Sequence, residues 1–320
     1  MIPPREALVA HARDSIARGS KSFALASKLF DRVTRERVWL LYAWCRACDD
    51  IADGQDHGGA LTEVADPEAR LAMIRDRTAL ALAGEPTGAS AFDALGLVAR
   101  ETGLTPAMAQ DVIGGFALDA SDWSPRSEAD LLRYCFHVAG AVGVMMAVVM
   151  GVSADDADAR ASETLDRACD LGIAFQLGNI ARDVREDDAG GRCYLPDDWL
   201  AEADVPPGEL LKPHYRHVRA ELLERLGTLA AVYEASARVG ARRLPFRSRW
   251  AVLSAAGIYG AIMREAVRLG EAAWDRRVVT SRRAKLGHVA RGLGQAVTPR
   301  VRNAPQPALS RRELAAIARA

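Results

Sequence analysis

Residues 45–54 read CRACDDIADG, and residues 176–196 read QLGNIARDVREDDAGGRCYLP. In the first stretch Asp49, Asp50 and Asp53 crowd the last turn of a predicted helix, just before Gly54. Carboxylates there face the negative end of the helix dipole, a cost of about 0.3–1 kcal/mol each. In the second, Gln176, Asn179, Asp183 and Asp187 are spaced by three, four and four, which puts them on one helical stripe ending before Gly190-Gly191. Asp49 and Asp53 are likewise four apart, with Arg46 three residues before Asp49 and Tyr42 a turn further back. Like charges at this spacing cost about 0.2–0.5 kcal/mol more on an isolated helix. Solvated acids at helix ends would explain one such cluster. Two of matching design, on helices whose other residues are mostly apolar, point inward, and inward charges need partners. The economical partner is Mg²⁺, which takes oxygen ligands, keeps several waters, and is shared between carboxylates and substrate phosphates. Facing acidic stripes of this kind suit a diphosphate ester whose leaving group must depart.

The surrounding chain fits a helical frame for those stripes. Of 320 residues, 49% are hydrophobic but only 6% aromatic, and no stretch shows the Val/Ile/Thr alternation of a strand series. The fold class read here is all-α. Helical periodicity runs over about 5–18, 35–53, 68–83, 91–102, 106–120, 128–151, 160–188, 209–239 and 247–274. Gly/Pro/Asp-rich breaks such as GQDHGG (54–59) and PDDW (196–199) separate these runs, with no internal repeat or long linker. The partition is one domain over 1–297 and a basic, flexible tail over 298–320.

Several other chemistries are excluded. No Glu has a His three residues on, as a di-iron bundle requires. There is no phosphate-binding P-loop, no dinucleotide fingerprint and no nucleophile elbow. Five cysteines in a large chain suit reduced thiols and a cytosolic setting, and Cys45 and Cys48 lack a second pair to make a zinc site. Tyr134 to Ala154 is free of formal charge and nominally long enough to span a bilayer. Its His137, three glycines and flanking acids favour a helix buried in a protein core. Within it VAGAVG (138–143) concentrates glycines, each costing about 1 kcal/mol in a helix, so something must approach closely there.

Net charge is zero, yet residues 276–320 carry 11 Lys/Arg against one acid. That basic portion suits phosphates, nucleic acid or an anionic membrane surface.

The blocks GSKSFALAS (19–27), LYAWCRACDDIAD (41–53), YCFHVAGAVGVMMA (134–147) and FQLGNIARDVREDDAGGRCYLP (175–196) resemble the squalene/phytoene synthase family, over about Asp14 to Leu286. The resemblance implies an isoprenoid (terpenoid) synthase fold, a helical bundle around a deep central cavity. It implies a prenyltransferase that joins two geranylgeranyl diphosphates head to head through prephytoene diphosphate to phytoene, in carotenoid biosynthesis. Mg²⁺ (or Mn²⁺) would be held between the two acidic helices, and no NADPH is expected.

Carried over by position, Asp49 and Asp53, with Asp50 beside them, would serve one metal–diphosphate cluster. Asn179, Asp183 and Asp187 would serve the other. Asp188 stands about 140° around the helix from Asp183, so Asp187 is preferred. Arg46, Arg182 and Arg277 are candidate diphosphate clamps, since a guanidinium meets phosphate oxygens bidentately; Arg277 also reads as one cation in a basic run. Ser20, Ser22 and Phe23 match the family's S-x-S-F, near the diphosphate and the upper cavity. Tyr42, Tyr134, Tyr194 and Tyr259 would line or close the site, through ring faces or hydroxyls, and Gln176 would support Asn179. Phe116, Val144, Met145 and Met146 are apolar wall residues or ordinary core. The rival readings are a sister enzyme acting on farnesyl diphosphate (a dehydrosqualene, presqualene diphosphate or squalene synthase), a chain-elongating prenyltransferase or terpene cyclase, and a catalytically silent assembly factor. The expected setting is cytoplasmic with peripheral membrane contact and no nucleic acid, and contact with downstream carotenoid enzymes is conceivable.

Overall fold

The computed structural model describes residues 1–54, 66–121, 123–155, 157–298 and 306–319. Beyond Gly54, the break expected at 54–59 lies outside the described residues, as do 299–305 and 320 of the expected tail. Among the described residues there are helices and no strands.

In chain order the α-helices are α1 (Arg5–Gly19), α2 (Lys21–Ser27), α3 (Arg32–Asp53), α4 (Pro67–Ala83), α5 (Ser90–Thr102), α6 (Pro106–Asp119), α7 (Glu128–Cys135), α8 (Ala141–Val149), α9 (Ala159–Ala189), α10 (Asp197–Glu202), α11 (Arg216–Gly240), α12 (Phe246–Leu269), α13 (Arg282–Val297) and α14 (Arg311–Arg319). Local chemistry sets many starts: the Asp31 carboxylate accepts from Thr34 N at 3.0 Å and Asp158 from Ala161 N at 3.1 Å, while Pro67 and Pro106 open α4 and α6.

Two long helices carry the acidic stripes. On α3, Val38, Leu41, Trp44 and Cys48 are buried at spacings of three, three and four, which turns Tyr42, Arg46, Asp49 and Asp53 to the other side. On α9, Leu165, Cys169, Ile173, Leu177 and Ile180 are buried in the same way. α3 packs on α1 and α5, whereas α9 packs on α8, α11 and α12.

The uncharged stretch is core. α7, a π-helical turn over Phe136–Gly140 and α8 run on continuously, and two thirds of the apolar span within Glu128–Val149 is buried inside the protein. The glycines bring α8 and α9 into contact: a Cβ at Gly143 would meet Ala168 O at 2.3 Å, and one at Gly172 would meet Ala139 O at 2.0 Å.

Residues 311–319 correct the expectation of a flexible tail. α14 docks on α7 and α9, with Leu314 buried and Arg311 Nε donating to Asp166 Oδ1 at 2.8 Å. One buried leucine and an ion pair across 145 residues of sequence hold it, features that a local reading of a Pro-containing segment does not register.

Candidate active site

Arginines neutralise part of each acidic stripe. Arg46 donates from Nε (2.9 Å) and Nη2 (2.6 Å) to Asp50 Oδ1, and its Nη1 stands 3.7 Å from Asp49 Oδ2. Asp50 is therefore engaged by its own helix rather than offered beside Asp49, because it lies one residue, some 100°, further round. On α9, Arg182 Nε donates to Asp183 Oδ1 at 2.7 Å and its Nη2 to Oδ2. Arg277 Nε, from the segment after α12, reaches the same Oδ1 at 2.9 Å, so it belongs to the site and not to an undirected basic run. Asn179 Nδ2 donates to Gln176 Oε1 at 3.3 Å.

The arginines compensate Asp49 and Asp187 least: Asp49 has the 3.7 Å contact with Arg46, and Asp187 shows no ion pair among the described residues. Asp49 keeps 46% of its side-chain surface open to the space between the helices. Protein atoms crowd it nonetheless, and this desolvation, helped by Asp53, Asp50 and Asp119, pushes its pKa up to about 7 despite Arg46. Asp187 is pushed up to about 7 by desolvation and by Asp183, with Arg192 opposing.

Two residues that sequence reasoning assigned no role join the stripes. Asp119, the last residue of α6, accepts hydrogen bonds from Tyr194 Oη (3.0 Å) and Tyr134 Oη (3.3 Å). Burial raises its pKa to about 6. Its charge acts on both Asp49 and Asp187, and it lines the same polar chamber as Asp187. Arg192 pairs with Asp53 at 3.6 Å and draws down both Asp119 and Asp187. The available signal was a third acid at the C-terminal end of an otherwise apolar helix, in GGFALD (114–119).

The tyrosines fall into two groups. Tyr134 stacks on Tyr194 at 4.6 Å and on Trp123 at 5.6 Å, closing one side. Tyr42 packs on Phe23 at 5.7 Å, and desolvation lifts its phenol to about 12. A Cβ at Gly19 would meet its hydroxyl at 2.3 Å, so only glycine lets α1 pass over it. Tyr259 stacks on Phe175 at 4.4 Å, while desolvation raises its pKa against the pull of Arg182. Ser20 caps α2 by accepting from Phe23 N at 3.2 Å, and Ser22 follows half-buried on that helix.

Two chambers adjoin this cluster. A polar one of about 610 Å³ is lined by Asp119, Trp123, Asp187, Arg192 and Tyr194. An apolar one of about 210 Å³ is lined by Phe23, Val138, Val142, Met146, Phe175 and Val252, among others. Phe175 faces the apolar chamber and stacks on Tyr259, which joins the greasy end to the arginine-bearing end. Of the wall candidates, Phe23 and Met146 line the apolar chamber, whereas Val144 and Met145 are packed in the core and Phe116 is half-buried against it. The π turn at Phe136–Gly140 adds a residue to one turn, and Val138, Val142 and Met146 take the chamber side.

The donors suit a hard cation, being carboxylate and amide oxygens beside two carboxylates short of positive charge. Among the described residues no three Asp, Glu, His or Cys side chains gather as a ready-made cage, so a cation here would complete its shell with water and phosphate oxygens.

Residues 16–284 match the family model described as Squalene/phytoene synthase. The chain is 44% identical over 304 residues to the 15-cis-phytoene synthase of Pantoea ananas, covering 94% of this chain and 96% of that one. It is 45% identical to the enzyme of that name from a Paracoccus strain, over 88% of this chain and 89% of the other. Among solved structures it is similar to a dehydrosqualene synthase in complex with ligand, with a TM-score of 0.79 at 24% identity over 91% and 96% of the two chains. A squalene synthase from Alicyclobacillus acidocaldarius gives 0.71 at 22% identity, over 83% and 95%. These two likenesses speak for the fold, and the long sequence matches for descent: the chain belongs to the squalene/phytoene synthase family.

Proposed function

We propose that this prenyltransferase condenses two geranylgeranyl diphosphates head to head, through prephytoene diphosphate, to phytoene. The observation that carries the reading is the 44–45% identity to phytoene synthases along nearly the whole chain. The site agrees chemically. Arg46, Arg182, Arg192 and Arg277 present guanidinium forks that can take diphosphate oxygens as their carboxylate partners turn to a cation. Asp49, Asp53, Asn179, Asp183 and Asp187 would hold Mg²⁺. When bound, the cation supplies Lewis-acid stabilisation of charge on the departing diphosphate. Phe175 and Tyr259 present stacked faces where the polar end meets the apolar chamber, placed to shelter an allylic cation, each contact worth about 0.5–2 kcal/mol. Val138, Val142 and Met146 keep water from the tail, which limits quenching of that cation.

Purified protein with Mg²⁺ should convert geranylgeranyl diphosphate to phytoene with no reductant. Turnover of farnesyl diphosphate alone would move the substrate to the shorter chain. We also place the protein in the cytoplasm at a membrane surface, because substrate tail and product are lipids.

A further inference from the structure

Residues 282–297 are polar by composition, yet α13 carries an apolar stripe on the side away from the protein. Leu286, Ala290, Leu293 and Val297 recur at four, three and four residues. Leu286 is 61% exposed, Leu293 37% and Val297 64%. The opposite side is the packed one: Gly292 seats against Ser254 of α12, and Trp250 Nε1 donates to Val289 O at 2.9 Å. A Cβ at Gly287 or Gly294 would meet nothing within 4 Å, so the outward side stands open among the described residues. Val279, 79% exposed, leads into it. Phe246, 45% exposed, lies at its far end, three residues before the Arg249 that donates to Ala296 O.

The charge around the stripe has one sign. Arg282, Arg283, Lys285 and Arg291 lie on α13 with no acid between 276 and 298, and none of the four makes an ion pair among the described residues. Arg311 and Arg312 of α14 are committed instead, to Asp166 and Ser162. Behind α13 stands α12, whose other side (Ala251, Val252, Ala255) walls the apolar chamber. A monomer rarely leaves so regular an apolar face bare, and a basic rim suits an anionic surface.

We propose that α13 is the membrane-docking element, lying in the headgroup region of an anionic bilayer with Leu286, Leu293 and Val297 inserted. This deepens the phytoene-forming reading by naming where a lipid substrate and product meet the membrane, and its test needs no turnover. Flotation with vesicles of phosphatidylcholine plus phosphatidylglycerol should carry the wild-type protein, and vesicles of phosphatidylcholine alone should not. The triple variant Leu286→Ser/Leu293→Ser/Val297→Ser, and separately Arg282→Gln/Arg283→Gln, should reduce the bound fraction by about tenfold or more at unchanged circular dichroism. Turnover of detergent-dispersed substrate should be unaffected, and loss of activity in the wild type itself would strike the functional reading alone. Equal flotation of wild type and triple variant, or equal binding to both vesicle types, overturns the proposal. So does a wild-type dimer that the triple variant abolishes without any vesicle binding, since the occupant would then be a second copy.

Discussion

The two acidic helices solve one electrostatic problem with different materials. At the end of α3 the main compensating charge is local: Arg46 reaches forward one turn to Asp50. At the end of α9 the charge is assembled, since Asp183 is gripped by its neighbour Arg182 and by Arg277 from beyond α12. That remote segment is itself tied to α9, by Trp274 Nε1 on Ala181 O (2.8 Å) and by Arg185 Nη1 on Asp275 O (3.0 Å). The α3 half is therefore built mostly by helix formation, with Arg192 adding a 3.6 Å pair to Asp53, and the α9 half is complete only when the chain after residue 269 has folded back. Both end alike, with one carboxylate whose pKa is raised to about 7, Asp49 on α3 and Asp187 on α9.

If that likeness is functional, Asp49→Asn and Asp187→Asn should be equally damaging. Each should lower turnover by about 10³-fold or more with helical circular dichroism retained, because each removes charge where the diphosphate complex must be held. Loss in only one would show that the halves are not equivalent. The arginines should then separate. Arg182→Met should cost about 10²-fold in kcat/KM. Arg277→Met should cost about tenfold, since Arg277 is half exposed and screened by solvent. Equal losses would contradict an α9 half graded from a buried clamp to a rim clamp.

A smaller effect tests whether that half is assembled through the remote segment. Trp274→Phe keeps most of the buried ring but deletes the hydrogen bond to Ala181 O. Stability should fall by about 1 kcal/mol in denaturant titration. Activity should fall several-fold through Arg277, and an Arg277→Met background should erase that activity loss. Additive losses in the double variant would mean the segment does not act through its arginine.

The local half was also the more legible one. Tyr42, Arg46, Asp49 and Asp53 fall on one stripe of a helix whose period is written in Leu41, Trp44 and Cys48, so reading four residues at a time suffices. The α9 stripe was equally plain, but its compensation was not, because Arg277 comes from 94 residues away. Asp119 and Arg192 act through space from α6 and from the loop after α9, and no single helical pattern joins them to the rows. Of the wall candidates on α8, Met146 lines the chamber while Val144 and Met145 pack into the core, because three consecutive apolar residues carry no phase of their own. α13 was missed for another reason: three glycines and four bases weaken its helical signal, and contact with α12 holds the helix instead.

The two carboxylates with raised pKa, Asp49 and Asp187, should finally show themselves in the stability of chelator-treated protein. Their pKa values are near 7 in the fold against an ordinary 3.8. Between those values the folded chain binds more protons than the unfolded one, so stability falls as pH rises. The penalty is absent below about pH 4 and fully present above about pH 7. Asp119 and Asp170, raised to about 6 and about 7 by burial, act in the same direction, and His288, held below its ordinary value, opposes them on the acid side. The metal-free protein should thus melt a few degrees higher near pH 5.5 than near pH 8. The double variant Asp49→Asn/Asp187→Asn should flatten that slope, as should Mg²⁺ with inorganic diphosphate, since either removes the need for a proton. Single variants decide whether the helices share the burden: each should remove a similar part of the slope, with Asp119 and Asp170 keeping the remainder. A reduction seen with Asp187→Asn and absent with Asp49→Asn would assign the frustration to the assembled half alone.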